Sequence, residues 1–169
     1  MAGHIIKRYL LAFNKTYDVY DIARSESDYR RPTFILDVTD FQSLSNIIEN
    51  LQPDCIINCI GLLNKTAEEN PDLAILINAY LPHFLEKITK NSQCKVIHIS
   101  TDCVFSGLKG GYFESDLKDG EGFYSQSKAL GEIVNNKDLT IRTSIIGPEL
   151  NSSGIGLLHW FLQQKNEII

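Results

Sequence analysis

The chain has 169 residues, 43% hydrophobic and 22% charged, which suits one globular domain with a real core or part of a larger protein. Its formal net charge of −5 and pI near 5.3 exclude the basic footprint that nucleic acid or an anionic membrane surface requires. No apolar run approaches the roughly 18 residues of a membrane span, and the N-terminus lacks the charged-then-apolar layout of a signal peptide, so the expected location is cytoplasmic.

In chain order, His4 to Phe13 carries apolar residues at helical spacing, and Tyr17 to Ile22 reads as a short strand. Phe34 to Asp37 is a second strand-like run. Thr39-Asp40 is a helix cap, and Phe41, Leu44, Ile47 and Ile48 give the helix that follows, to about Leu51, one apolar face. Gln52-Pro53-Asp54 breaks it. Cys55 to Ile60 is a continuous apolar run, the pattern of a strand buried on both faces. A longer helix is predicted over Pro71 to Asn91 with Pro82 inside it. Proline cannot donate there and crowds the carbonyl four residues earlier, so a kink and a freed Asn78 carbonyl are expected. Lys95 to Ile99 is the next buried strand, ending at Ser100-Thr101; a helix carrying Tyr124, a strand from Leu139 to Ile146 and a helix starting at Leu157 complete the pattern.

Strands alternating with helices predict a doubly wound parallel α/β sheet. Ligands of such sheets bind at the carboxyl ends of the strands, where Arg24, Asp37, Gly61 and Thr101 fall. The chain opens on a helix, however, and Met1-Ala2-Gly3-His4 resembles the tail of a glycine-rich phosphate turn whose strand is absent. Losing a central strand leaves orphaned backbone groups at about 1–3 kcal/mol each and removes donors that cradle a pyrophosphate. A true start at Met1 is the alternative. With a terminal helix that has barely begun, the expectation is a fragment, one incomplete domain over residues 1–169.

Tyr124 and Lys128 stand four apart, on one face of a helix, so a phenol and an ammonium can be held side by side. An ordinary surface pair has the same spacing. The four cysteines, Cys55, Cys59, Cys94 and Cys103, lack metal-ligand spacing, and three lie in or beside apolar segments; reduced core cysteines are expected, with no metal site.

The segments NCIG at 58–61, INAYLP at 77–82, HISTDCVFSG at 98–107, YSQSKALGE at 124–132 and IRTSIIG at 141–147 together resemble the extended short-chain dehydrogenase/reductase superfamily. Within it they look most like dTDP-4-dehydrorhamnose reductase and its sugar-nucleotide reductase relatives, the RmlD-like family. The resemblance implies a Rossmann-like NAD(P)-binding fold and an NADPH-dependent reductase of a nucleotide-linked 4-keto-6-deoxy sugar, serving surface polysaccharide synthesis. NADH is the alternative cofactor, and a homodimer is compatible.

By the same resemblance Tyr124 is the general acid, Lys128 lowers its pKa and holds the nicotinamide ribose, and Thr101 binds the carbonyl oxygen, with Ser100 as substitute if the register shifts. Met1, Ala2, Gly3, Arg24, Asp37, Val38, Cys59, Ile60 and Gly61 would line the cofactor. Asp21 suits a ribose diol, whereas Arg24 with Arg30 and Arg31 suits a 2′-phosphate. The Asn78 carbonyl either holds a relay water or only packs. Relatives usually carry Tyr at Cys103, Gly at Ser125 and a proline-bearing approach at residues 119–122. An epimerase or dehydratase of the superfamily, and an inactive fragment acting as a binding module, remain alternatives. Asp102-Cys103 lacks the Asp-Glu pair of dehydratases.

Overall fold

The computed structural model describes residues 2–12, 16–26, 33–147 and 156–164. The elements are α1 (Ala2–Ala12), β1 (Ile22–Ala23), β2 (Phe34–Ile35), α2 (Phe41–Leu51), β3 (Cys55–Asn58), α3 (Asn64–Glu69), α4 (Pro71–Ala74), a π turn (Ile75–Tyr80), α5 (Leu81–Thr89), β4 (Lys95–Thr101), a 3₁₀ turn (Asp102–Val104), α6 (Gly122–Leu130), β5 (Leu139–Thr143) and α7 (Leu157–Gln163). Every described strand pair is parallel, as an α/β order dictates.

The doubly wound parallel α/β fold is as expected, and among the described residues its strands fall into two ladders. β1 pairs with β2, while β3, β4 and β5 form a separate sheet in that order. One apolar core nevertheless serves both, because Ile22, Leu36 and Val38 join Ile56, Val96, Leu44, Ile77, Leu81 and Leu85.

Most strands are shorter than the sequence suggested, and side chains end them. The run from Tyr17 contributes only Ile22–Ala23 to the ladder, since the Asp21 carboxylate takes the Thr33 N–H at 2.9 Å. Asp37 leaves β2 by accepting from the Thr39 N–H and hydroxyl. Likewise Asn58 Oδ1 accepts the Ile60 N–H at 3.1 Å and closes β3 two residues early. β5 stops at Thr143 rather than Ile146. The expected cap does form, with Asp40 accepting the Ser43 N–H at 3.0 Å.

Two features replace the single long helix. Residues 64–69 form α3, whose only buried residue is Ala67. Ahead of Pro82 the helix widens into a π turn, with the Leu81 N–H reaching back five residues to the Leu76 carbonyl. Pro82 then falls in the first turn of α5, where its missing donor matters little. The Asn78 carbonyl oxygen occupies the space a Gly131 side chain would fill, so glycine is required there by close approach. The cysteine expectation is also corrected. All four are free, but only Cys94 is buried, while Cys55 and Cys103 are exposed. No helix among the described residues is long and apolar enough to cross a membrane.

Candidate active site

The site is built where the end of β4 meets the first turns of α6. Thr101 is buried, and its hydroxyl oxygen accepts the Cys103 N–H at 3.2 Å, starting the 3₁₀ turn. The Tyr124 phenol lies beside the Thr101 side chain, whose hydroxyl donates to Asp102 Oδ1 at 3.3 Å. Burial raises the Tyr124 pKa above the ordinary phenol value and the neighbouring Thr101 hydroxyl only partly offsets it, so the phenol holds its proton at neutral pH. Ser100, one residue earlier, points elsewhere and donates to Glu132 at 2.9 Å. Strand alternation thus selects Thr101 as the hydroxyl beside the tyrosine.

α6 has no side-chain cap of its own. Glu68, from α3, accepts the Tyr124 N–H at 3.1 Å. Gly122, at φ +80°, lies so close that an added Cβ would come within 2.6 Å of the Glu68 carboxylate. Tyr124 opens into a cleft of ≈ 280 Å³, lined with Asn64, Glu68, Cys103, Glu121 and Ser125. Cys103, Glu121 and Ser125, three positions expected to depart from the relatives' pattern, face it.

Lys128 is almost fully buried, and its amine is turned to β4. It donates to the Ile99 carbonyl at 2.8 Å and meets His98 Nε2 at 3.3 Å. Burial pushes its pKa down to about 8, against the opposing pull of Glu132 and Cys59. His98 has no exposed surface, and its other ring nitrogen faces Asn58 Nδ2 at 3.1 Å. Burial, then Lys128, holds His98 down at about 3, so the ring is neutral.

Behind Lys128, the Glu132 carboxylate takes a fork from Arg142, with both bonds at 2.7 Å. Lys118 approaches at 3.2 Å. Asn78 secures the loop after β3: its side chain accepts the Leu62 N–H, and donates to the Leu62 carbonyl and to Ser127. Its backbone carbonyl faces Gly131, which favours the packing reading of Asn78 over the relay-water reading.

The expected cofactor residues follow strand ends or start a helix. Ala2 and Gly3 open α1, and an added Cβ at Gly3 would lie 3.3 Å from Cys59. Ile60 and Gly61 follow; a Cβ on Gly61 would stand 3.2 Å from Asn78 Oδ1 and 3.9 Å from Lys128 Nζ. Arg24 and Asp37 follow β1 and β2, where bonds from Thr39, and to a lesser degree the charge of Arg24, hold the Asp37 carboxyl below its usual value. Val38 turns into the core instead. Asp21 is bonded by Lys7 at 2.7 Å. Met1, Arg30 and Arg31 lie outside the described residues.

Asn58, Glu68 and His98 were missed from sequence. A histidine two residues from Val96 and from Ser100 on a strand was the available signal, because alternation puts all three on one face.

Known proteins share this framework. A dTDP-4-dehydrorhamnose reductase of Aggregatibacter actinomycetemcomitans is 30% identical over 141 residues, covering 80% of this chain and 45% of the relative. The crystal structure of a hypothetical dTDP-4-dehydrorhamnose reductase from Sulfolobus tokodaii superposes with TM-score 0.68 at 32% identity, over 78% of this chain and 49% of that one. A dTDP-4-dehydrorhamnose reductase from Bacillus anthracis, solved in complex with NADP, gives TM-score 0.65 at 27% identity, over 76% and 45% of the two chains. The chain therefore spans about half the length of the relatives it matches. The RmlD substrate binding domain family matches residues 11–159, and the chain belongs to that family.

Proposed function

We propose that this chain carries the acid–base centre and part of the cofactor cradle of an NADPH-dependent reductase acting on a nucleotide-linked 4-keto-6-deoxy sugar in surface polysaccharide synthesis. The observation that carries the reading is the placing of Tyr124 beside Thr101 at the wall of an open cleft, where burial keeps the phenol protonated. Family membership and the names of the relatives support the substrate class.

The residues present fit a dinucleotide. Gly61 leaves open the space beside Asn78 and Lys128 that a side chain would fill, and Arg24 and Asp37 follow the strand ends where an adenosine ribose is read. The Arg24 cation and the NADP complex of the Bacillus anthracis relative favour NADPH over NADH. Gly3, Cys59 and Ile60 would form the adjoining wall. When bound, the nicotinamide supplies the hydride that reduces the carbonyl carbon.

The protein supplies the proton. Tyr124 donates it to the carbonyl oxygen, so the phenolic O–H breaks as the product hydroxyl forms, and solvent entering the cleft reloads the phenolate. Thr101 orients that oxygen and stabilises the charge developing on it. Lys128 is the cation that would favour the phenolate and hold the cofactor ribose.

Incubated with NADPH and a nucleoside-diphosphate 4-keto-6-deoxy sugar, the protein should oxidise NADPH, and Tyr124→Phe should lower turnover about 10²–10⁴-fold. Undiminished turnover in that variant would sink the assignment, while turnover without net NADPH loss would favour an epimerase.

A further inference from the structure

The buried pair His98 and Lys128 presents a donor problem whose solution assigns a proton. The Ile60 backbone N–H is a fixed donor, so Asn58 must turn its oxygen toward it and its NH₂ toward His98 Nδ1. Flipping the amide would set NH₂ against N–H, in a site where every buried side-chain polar atom described has a partner. His98 Nδ1 therefore accepts. A neutral imidazole that accepts at Nδ1 carries its proton on Nε2, and Nε2 is the nitrogen 3.3 Å from Lys128 Nζ. An ammonium has three donors and no lone pair, so it suits this contact only if the imidazole is an anion. A neutral amine suits it directly: one N–H goes to the Ile99 carbonyl and the lone pair accepts from His98.

We propose that His98, oriented by Asn58, is a positioning residue that keeps Lys128 against β4 as a neutral amine, and that Lys128 leaves His98 when it takes up a proton. This rests on the reading of Lys128 as the site's cation, and it gives the lysine two stations. In one it is neutral on His98 and the Ile99 carbonyl. In the other it is charged and turned toward Gly61, whose absent side chain leaves room 3.9 Å from Nζ.

The other titratable groups facing the pair do not reverse the assignment. Glu132 is committed to Arg142, Lys118 and Ser100. The Cys59 thiol is pushed up by burial and stays neutral. His83, on α5, is occupied by Glu86 and the Leu130 carbonyl.

The test needs neither substrate nor cofactor, so its failure is separate from failure of the reductase reading. Long-range ¹H–¹⁵N correlation spectra of the whole chain at pH 9 should show His98 as the Nε2–H tautomer. The Lys128 ¹³Cε signal should titrate near 8, below the ordinary lysine value. In His98→Gln, whose amide oxygen accepts from an ammonium, the Lys128 midpoint should rise by at least about one pH unit. An Nδ1–H tautomer in the wild-type protein, or an unmoved Lys128 midpoint in a folded His98→Gln variant, overturns the proposal. Should that variant not fold, the wild-type tautomer decides alone.

Discussion

The two parallel sheets handle charge in opposite ways. Around β3, β4 and β5 the polar side chains are inside: Asn58, His98, Ser100, Thr101, Lys128 and Glu132 are all buried. Around β1 and β2 they stay near water, where Asp21 is held by Lys7 and Thr33, and Asp37 by its own neighbour Thr39. Burial strengthens electrostatics and makes an unmet group costly, so the larger sheet can tune a lysine and a histidine only because each partner is present. The smaller sheet has little to tune and correspondingly little to lose.

The difference should be largest at Arg142. Glu132 is 2% exposed in its side chain. Burial alone would raise its pKa, but bonds from Arg142 and Ser100, and the positive charge of Arg142, outweigh burial and leave it lowered. Arg142→Met removes the fork and should cost about 3 kcal/mol, the lower end for breaking a buried pair, because Lys118 remains. Urea unfolding at pH 7 measures it. A carboxylate whose folded pKa is depressed gives stability that is present above its unfolded pKa and lost as pH falls through the folded one. The gap between wild type and variant should therefore close in acid. A gap that does not narrow as the pH falls would mean that lost packing, not charge, is responsible.

Gly131 probes the same region through the backbone. In Gly131→Ala the new methyl would overlap the Asn78 carbonyl oxygen left by the π turn. Overpacking of this kind costs about 1–3 kcal/mol. The φ of −82° at this residue suits alanine, so strain cannot account for the loss. A neutral or stabilising outcome would show that the helix there can return to α geometry.

What was legible in the sequence follows the reach of each interaction. α2 has its cap, apolar face and left-handed stop at Gln52 within a dozen or so neighbouring residues, and it formed where expected. Thr101, Tyr124 and Lys128 could be singled out because their motifs carry them, and the structure gathers them where β4 meets α6. By contrast α3 is polar, with one buried residue and no apolar period to read. His98 and Asn58 are 40 residues apart, and Glu68 and Tyr124 are 56 apart. The role of each member depends on its distant partner, which periodicity does not reveal. The π turn depends on Pro82 locally but on Gly131 for the room its carbonyl needs. The division into two sheets was illegible for a related reason, since a run of apolar residues announces a strand and not its neighbour.

The smallest effect is expected at Lys7, which joins α1 to the start of β1 through Asp21 at 2.7 Å. By distance this pair equals the Arg142–Glu132 fork, so distance alone would rank the two sites together. Their surroundings do not. The Lys7 and Asp21 side chains keep 22% and 16% of their exposure, and Thr33 offers Asp21 an N–H and a hydroxyl when the lysine is gone. Water can reach whatever the lysine leaves. Lys7→Ala should therefore cost less than about 1 kcal/mol, and the loss should shrink further in 1 M salt, where the Debye length is about 3 Å. A loss comparable to that of Arg142→Met, insensitive to salt, would mean that the smaller sheet depends on buried charge just as the larger one does.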